Sequence, residues 1–424
     1  MSASSPHAPI DNPAPPQMTM RQVLGISSMR RIWYAQIISV LGDFLALYAV
    51  LGVMGFKMHA TAVQLTWVQI SYMAPIALLG LIAGVFVDRW PVKPTLVASD
   101  LTRALLCLGL LLATQPWHFY IVLAAISVVS SFFAPAQGVS IRIMVPLHGL
   151  RAANTLMQQV MFLMRIAGPS LAALIVAQFG PQSCYIADAA TFVASACFIL
   201  SASVMQPERK DAEESSKVGL ARVSHDMREG LSFIVHHAGL LFVILALAAG
   251  MFTLGCFGPL IAVYVRESLH ESTRTFGFVS STIGLGILLG MNGLQALGGR
   301  LGNRTMVYLG LGGIVGGLVV LAGLTYLPTA FFGAFMIGAS VAAILIPAQT
   351  LIQQETPAAM MGRVGSTVMS TVFTAQVAGL LLSGVLARAA GVRMTFALSA
   401  GLLIILMLTG RLASQSWDPH TARM

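Results

Sequence analysis

Long apolar stretches alternate with short polar breaks along almost the whole chain. Runs of about 20 apolar residues are long enough to cross a bilayer as helices. The pattern predicts twelve such spans, at 31–56, 63–87, 95–114, 118–144, 152–178, 182–204, 239–265, 275–299, 304–326, 330–353, 363–387 and 393–412. These runs are far longer than a barrel strand's roughly ten residues and lack its alternation, so a transmembrane β-barrel is excluded. Only one break is long: 206–238 holds Glu208, Arg209, Lys210, Asp211, Glu213, Glu214 and Lys217. From Gly219 to His237 apolar residues return at helical spacing, which predicts an interfacial helix. The predicted fold is an all-α membrane protein of twelve transmembrane helices in two pseudo-symmetric six-helix bundles. Its parts are a disordered tail (1–27), a first bundle (28–205), a cytoplasmic linker (206–238), a second bundle (239–412) and a tail (413–424).

The two halves repeat one another at an offset of about 211 residues. Pro135-Ala136-Gln137 returns as Pro347-Ala348-Gln349, Val145-Pro146 as Thr356-Pro357, and Arg89 as Arg300. Tandem halves in a membrane chain are the mark of a transporter that rocks one half against the other around a central site.

Composition agrees with membrane residence: the chain is 57% hydrophobic and 9% charged, against about 25% charged in soluble domains. Its mean hydropathy is +0.82. The net charge of +9 carries its information in how it is distributed. With the amino terminus inside, seventeen Lys and Arg fall on the inner side and five outside, while Arg103 and Arg165 stay within spans. That asymmetry predicts both termini in the cytoplasm, and with it a multi-pass protein of a bacterial inner membrane. The first 20 residues are polar and rich in Pro and Ser, without the apolar stretch of a cleaved signal. Cys107, Cys184, Cys197 and Cys256 lie in apolar runs without metal-ligand spacing and read as core or lipid-facing residues.

The loop after the second span reads Gly84-Val85-Phe86-Val87-Asp88-Arg89-Trp90-Pro91-Val92-Lys93. It resembles the G-x-x-x-D-R-x-G-R-R/K loop of the major facilitator superfamily, with Pro91 in place of the loop glycine and Val92 in place of the first basic residue. The resemblance implies that Gly84, Asp88, Arg89 and Lys93 take part in conformational gating, with Asp88 facing Gly362 and Arg363 at the start of the eleventh span. Asp88 ends its own helix, where the macrodipole disfavours an anion, so it needs such a partner. Further stretches are similar to the branch of enterobactin exporters and macrolide efflux pumps. They are Leu41-Gly42-Asp43, Ser99-Asp100-Leu101-Thr102-Arg103-Ala104, Phe132-Phe133-Ala134-Pro135-Ala136-Gln137 and Met361-Gly362-Arg363-Val364. Arg165-Ile166-Ala167-Gly168-Pro169 agrees too, and its Gly168-Pro169 resembles the G-P-x-x-G-G element of antiporters, with Ala172 and Ala173 replacing the final glycines. Small residues there allow the fifth span to pack tightly on the other half and seal the outer side; a plain packing kink is the other reading.

Ionisable groups at membrane depth are costly and face the bundle interior or a cavity. Asp43 lies about twelve residues into the first span, about 18 Å deep, and Arg165 at nearly the same depth in the fifth. Two readings stand for this pair: it couples proton influx to solute exit, or it is a static pair that fixes packing. Asp100 and Arg103 share a helix face and lie close in depth to Arg142, as a charge cluster governing inward closure or as a solute site. Asp188 follows the outer start of the sixth span and reads as a helix cap. In the superfamily the first, fourth, seventh and tenth spans line the cavity. The resemblance therefore makes Gln36, Gln137 and Gln349 candidate solute contacts, with Gln158 and Gln376 nearby and Tyr264 a candidate outer gate residue. Each can equally bridge helices. Such a cavity has apolar walls and few charges, which suits an amphiphile better than a sugar or ion.

No phosphate-cradling loop or nucleophile constellation occurs, and His236-His237 lack metal-ligand company, so no enzyme and no cofactor or metal is expected. The expected function is proton-coupled export of a siderophore, macrolide or other amphiphilic drug by a monomer that binds no nucleic acid. An importer or lysophospholipid translocator, and a non-transporting membrane sensor, are the alternatives.

Overall fold

The computed structural model describes residues 17–87, 90–203, 220–297, 302–357 and 360–415. Every regular element among them is helical. A short α1 (Met20–Gly25) leads into α2 (Ser27–Gly52), and α3 (Ala62–Val87), α4 (Val92–Gly109), α5 (Pro116–Met144), α6 (Leu150–Phe179) and α7 (Pro181–Ser201) complete the first half. After α8 (Leu220–His236) come α9 (Ala238–Val263), α10 (Thr273–Leu297), α11 (Asn303–Gly323), α12 (Leu327–Glu355), α13 (Met361–Ala390) and α14 (Val392–Gln415). Twelve of these helices are long and apolar enough to cross a membrane: α2–α7 and α9–α14. Pro75, Pro135, Pro169, Pro259 and Pro347 sit inside helices, as a membrane permits when neighbouring groups take up the freed backbone.

The repeat is written into the backbone. The starts of α3, α4, α5, α6 and α7 recur 211 residues later as those of α10, α11, α12, α13 and α14. So do the π turns Val53–Lys57 and Tyr264–Ser268 that end α2 and α9. His59 and His270 take left-handed φ of 49° and 56°, and Gly180 and Gly391 follow α6 and α13 at φ 82° and 83°. Glycine is needed at those two ends because a Cβ disfavours that region. The Pro-Ala-Gln triplets lie 212 apart, one residue out of this register, which turns Gln349 about 100° from the counterpart of Gln137.

Residues 17–27, expected within a disordered tail, are folded. Thr19 and Gln22 form a capping box, and Val23 is buried with Met29, Ile141, Val145 and Ala153. The segment is too short to give a hydrophobic period, so the sequence hid it.

Twelve alternating spans bring residues 17 and 415 to one end of the molecule, the near end. Ser28 there donates to the Ser203 carbonyl at 3.1 Å, and Arg31 to the Ser201 carbonyl. The halves are joined at the far end. Ser170 N–H and its hydroxyl reach Ser281 Oγ at 3.0 and 2.6 Å, Thr66 Oγ1 lies 3.3 Å from Ser383 Oγ, and Arg266 donates to the carbonyls of Gly55 and Ala60. Phe276 of α10 packs against Tyr48 and Phe56 of the first half. These hydrogen bonds between the halves, and the glycines Gly277 and Gly384 that approach the other half closely, lie in the far half of the spans.

Candidate functional site

Glycines set the far-end seal. A Cβ on Gly277 would run into Ala173 and the Pro169 carbonyl, and one on Gly284 into Ile166 and the Arg165 carbonyl. Pro169 has no N–H, so it leaves the Arg165 carbonyl without its helical donor, and the kinked strip of α6 rests on the bare backbone of α10. Gly168 does something else: its open side faces Phe44 of α2, within its own half. Gly384 does for α3 what Gly284 does for α6, lying against Val63 and Thr66.

The candidate glutamines take different places. Gln137 Nε2 donates to Gln36 Oε1 at 2.5 Å, both half-buried, which links α5 to α2. Gln158 and Gln349 are exposed, and Gln376 is half-buried in α13. Tyr264 does not belong with them. Its side chain is fully buried in the second half, its hydroxyl donates to the Leu324 carbonyl at 2.9 Å, and Phe396 meets its ring edge-on. The turn after α11 claims the hydroxyl, so a cavity-facing or gating Tyr264 is corrected. A groove of 370 Å³ between α4 and α5, lined by Trp90, Pro94, Thr102 and Phe132, takes no residue from the second half.

The charges inside the first half form one assembly that the sequence did not predict. Arg103, 3% exposed, pairs with the fully buried Asp100, and its guanidinium lies 4.3 and 4.2 Å from the Phe133 and Phe192 ring centres. Aromatic faces on both sides favour the cation where water is absent. Asp43 is half-buried, and the charges that bear on it are Arg103 and Asp100. Its expected partner Arg165 lies elsewhere: that side chain is exposed on α6, and its charge bears on Tyr48. No ion pair joins Asp43 to Arg165 among the described residues. Equal depth does not fix the direction in which each helix turns its side chain.

Asp188 is also corrected. It stands eight residues into α7, 1% exposed, where it accepts from Cys107 Sγ at 3.0 Å and from Thr191 Oγ1 at 3.4 Å. A Cβ on Gly42 would strike Asp188 and Thr191, so the carboxyl lies against the α2 backbone beside Asp43. Arg142 is exposed in the last turn of α5, away from this group. Beyond the spacing of Asp100 and Arg103, the hint to Asp188 was Gly42, one residue before Asp43, as a place for close helix approach.

At the near end, Lys93 donates to the carbonyls of Leu200 and Ala202 at 2.6 and 2.9 Å, placing its charge on the carboxyl end of α7. Arg363 binds Glu229 of α8 at 2.7 Å, and Gly230 of α8 lies against Thr367 and the Arg363 backbone. Gly84 falls in the last turn of α3, whereas Asp88 and Arg89 lie outside the described residues.

The profile of the Major Facilitator Superfamily matches residues 32–375 and 244–422. The chain belongs to that superfamily. It is therefore a multi-pass membrane transporter and not an enzyme. An uncharacterized MFS-type transporter of Bacillus subtilis (strain 168), YfiS, is 26% identical over 388 residues, 88% of this chain and 90% of that protein. Macrolide efflux protein A of Streptococcus pyogenes is 25% identical over 392 residues, 89% and 93% of the two. A mutant of the nucleoside transporter NupG shares the fold, with a TM-score of 0.74 at 10% identity over 91% of this chain and 99% of that one.

Proposed function

We propose that this transporter exports amphiphilic small molecules, such as a siderophore, a macrolide or another drug, across a bacterial inner membrane by alternating access. Both termini stand in the cytoplasm, because seventeen of the 24 Lys and Arg belong to that side. The far end is then the outer face, and the structure is an inward-facing state. The observation that carries the reading is the seal of hydrogen bonds and close glycine contacts in the outer half, with Gln158 and Gln349 exposed toward the inner half. Few fixed charges among apolar walls suit a bulky amphiphile. The similarity to a macrolide efflux protein over most of both chains supports the same solute class and direction.

Proton influx drives the export, with Asp43 as the coupling carboxyl and Arg103 in place of Arg165 as its cation. The transporter works as a monomer; its partners are the solute, protons and the bilayer. Expression in a strain stripped of its own pumps tests the reading against a panel of macrolides and amphiphilic dyes. Inverted vesicles should accumulate at least one of these compounds when acidified inside, and collapse of the gradient should release it. Accumulation by right-side-out vesicles instead would establish import and overturn the proposed direction.

A further inference from the structure

The duplication supplies an internal control for the buried charges. At the offset of 211, Asp43, Asp100, Arg103, Cys107, Asp188 and Ser195 correspond to Leu254, Leu311, Ile314, Leu318, Ser399 and Leu406. Leu311, Ile314, Leu318 and Ser399 are buried in the second bundle at 0%, 0%, 1% and 4% exposure. The same six-helix packing is thus built without charge where the first bundle holds three carboxyls and a guanidinium. Replacing buried ionic groups by apolar ones is often neutral or stabilising, so the fold has no need of these charges.

We propose that Asp43, Asp100 and Asp188, gathered around Arg103 on α2, α4 and α7, form a proton-holding site inside the first bundle, apart from the solute's path. The site gives the proposed proton coupling its residues and rests on that reading. Three carboxyls face one guanidinium, and Arg103 is committed to Asp100. The other groups bearing on the cluster are Tyr72 of α3, Cys107 of α4 and Cys184 of α7, and α5 contributes the Phe133 ring. None of these supplies a positive charge. A proton on Asp43 or Asp188 reduces the imbalance, because neighbouring carboxyls with one cation between them do not all ionise at little cost. A metal ion fits poorly, because Arg103 already occupies the cluster with a fixed positive charge.

A second observation points into the same place. Asp100 Oδ2 and Arg103 Nε are buried without a hydrogen-bond partner among the described residues, and the Ser195 hydroxyl stands beside Asp100. Buried polar atoms are rarely left so, and these donors and acceptors suit a water that relays protons. From the inner side the column runs Asp100, Arg103, then Asp43 with Cys107 and Asp188. α4 and α7 pack on each other and on α2, α5 and α6 of their own half. α2 alone among the three also reaches the seal, where Tyr48 meets Phe276. Loading the Asp43–Asp188 pair changes the attraction between α2 and α7, and α2 carries that change to the outer seal.

Infrared spectroscopy of the full chain in lipid nanodiscs near neutral pH tests the site. The wild type should show a protonated-carboxyl absorption that Asp43→Asn and Asp188→Asn each abolish and that Glu229→Gln leaves in place. Asp43→Leu and Asp188→Ser, which install the second bundle's own residues, should abolish it in a folded protein by circular dichroism. Absence of the absorption in the wild type, or its survival in both Asn variants, overturns the proposal. If the absorption behaves as expected but no compound is exported, the export reading fails and the site stands. Gradient-driven export undiminished in both variants overturns the coupling role of the site.

Discussion

Arg103 is the residue on which the first bundle's charge balance turns. Its guanidinium holds Asp100 by an ion pair and is enclosed by two phenyl rings, at 3% exposure. Removing one partner of a buried pair leaves an uncompensated charge, a loss of about 3–5 kcal/mol. Arg103→Ile should therefore lower the thermal midpoint strongly in detergent. The double variant Asp100→Leu/Arg103→Ile, which copies Leu311 and Ile314, should recover more than half of that loss. Tyr264→Phe makes a contrasting case: losing one hydrogen bond to Leu324 should cost about 1 kcal/mol and leave solute affinity unchanged. A large shift in affinity would return Tyr264 to the solute path. The spacing of Asp100 and Arg103 made their pairing legible, because residues three apart share a helix face. Asp188 was not legible, since its partners Cys107 and Asp43 come from α4 and α2.

At the scale of elements, the seal depends on glycines that let α10 lie directly on the proline-kinked part of α6. Gly277→Val has no room against Ala173 and Pro169. It should shift the population toward the outward-open state. Maleimide labelling reads that shift at Thr66→Cys, a seal position 3% exposed and facing Ser383. Cys107, Cys184 and Cys256 are buried, so Cys197→Ser is the only background change needed. Labelling should rise several-fold when Gly277→Val is added; an unchanged rate would show that this contact does not hold the outer side shut. The helices themselves were readable from hydropathy, because a bilayer demands about 20 apolar residues whatever the neighbours are. The proline of the seal was readable in the same way. Its glycine partners were not, for a glycine within an apolar run gives no sign of which helix approaches it.

For the whole molecule, alternating access requires the outer seal to open in every cycle. Ser170 and Ser281 face each other across it with their hydroxyl oxygens 2.6 Å apart. A Ser170→Cys/Ser281→Cys disulfide should arrest transport under oxidation, and reduction should restore it. Transport that continues with the bond fully formed would rule out rocking of the halves about this contact. α8 belongs to this scale as well, since Glu229 and Gly230 tie the connection between the halves to the start of α13.

Hydrophobic runs, their number and their repeat at one offset determined the helical class, the twelve spans and the two-half plan, because each depends only on local composition and spacing. Depth in the membrane followed as well, at a fixed rise per residue. Azimuth did not: neighbouring residues point about 100° apart, so the partner of a buried group is decided only when helices pack. That packing sent Asp43 to Arg103 and Asp188 instead of Arg165, turned Gln349 out of step with Gln137, and buried Tyr264. It also made a single polar cluster out of charges drawn from three helices, α2, α4 and α7.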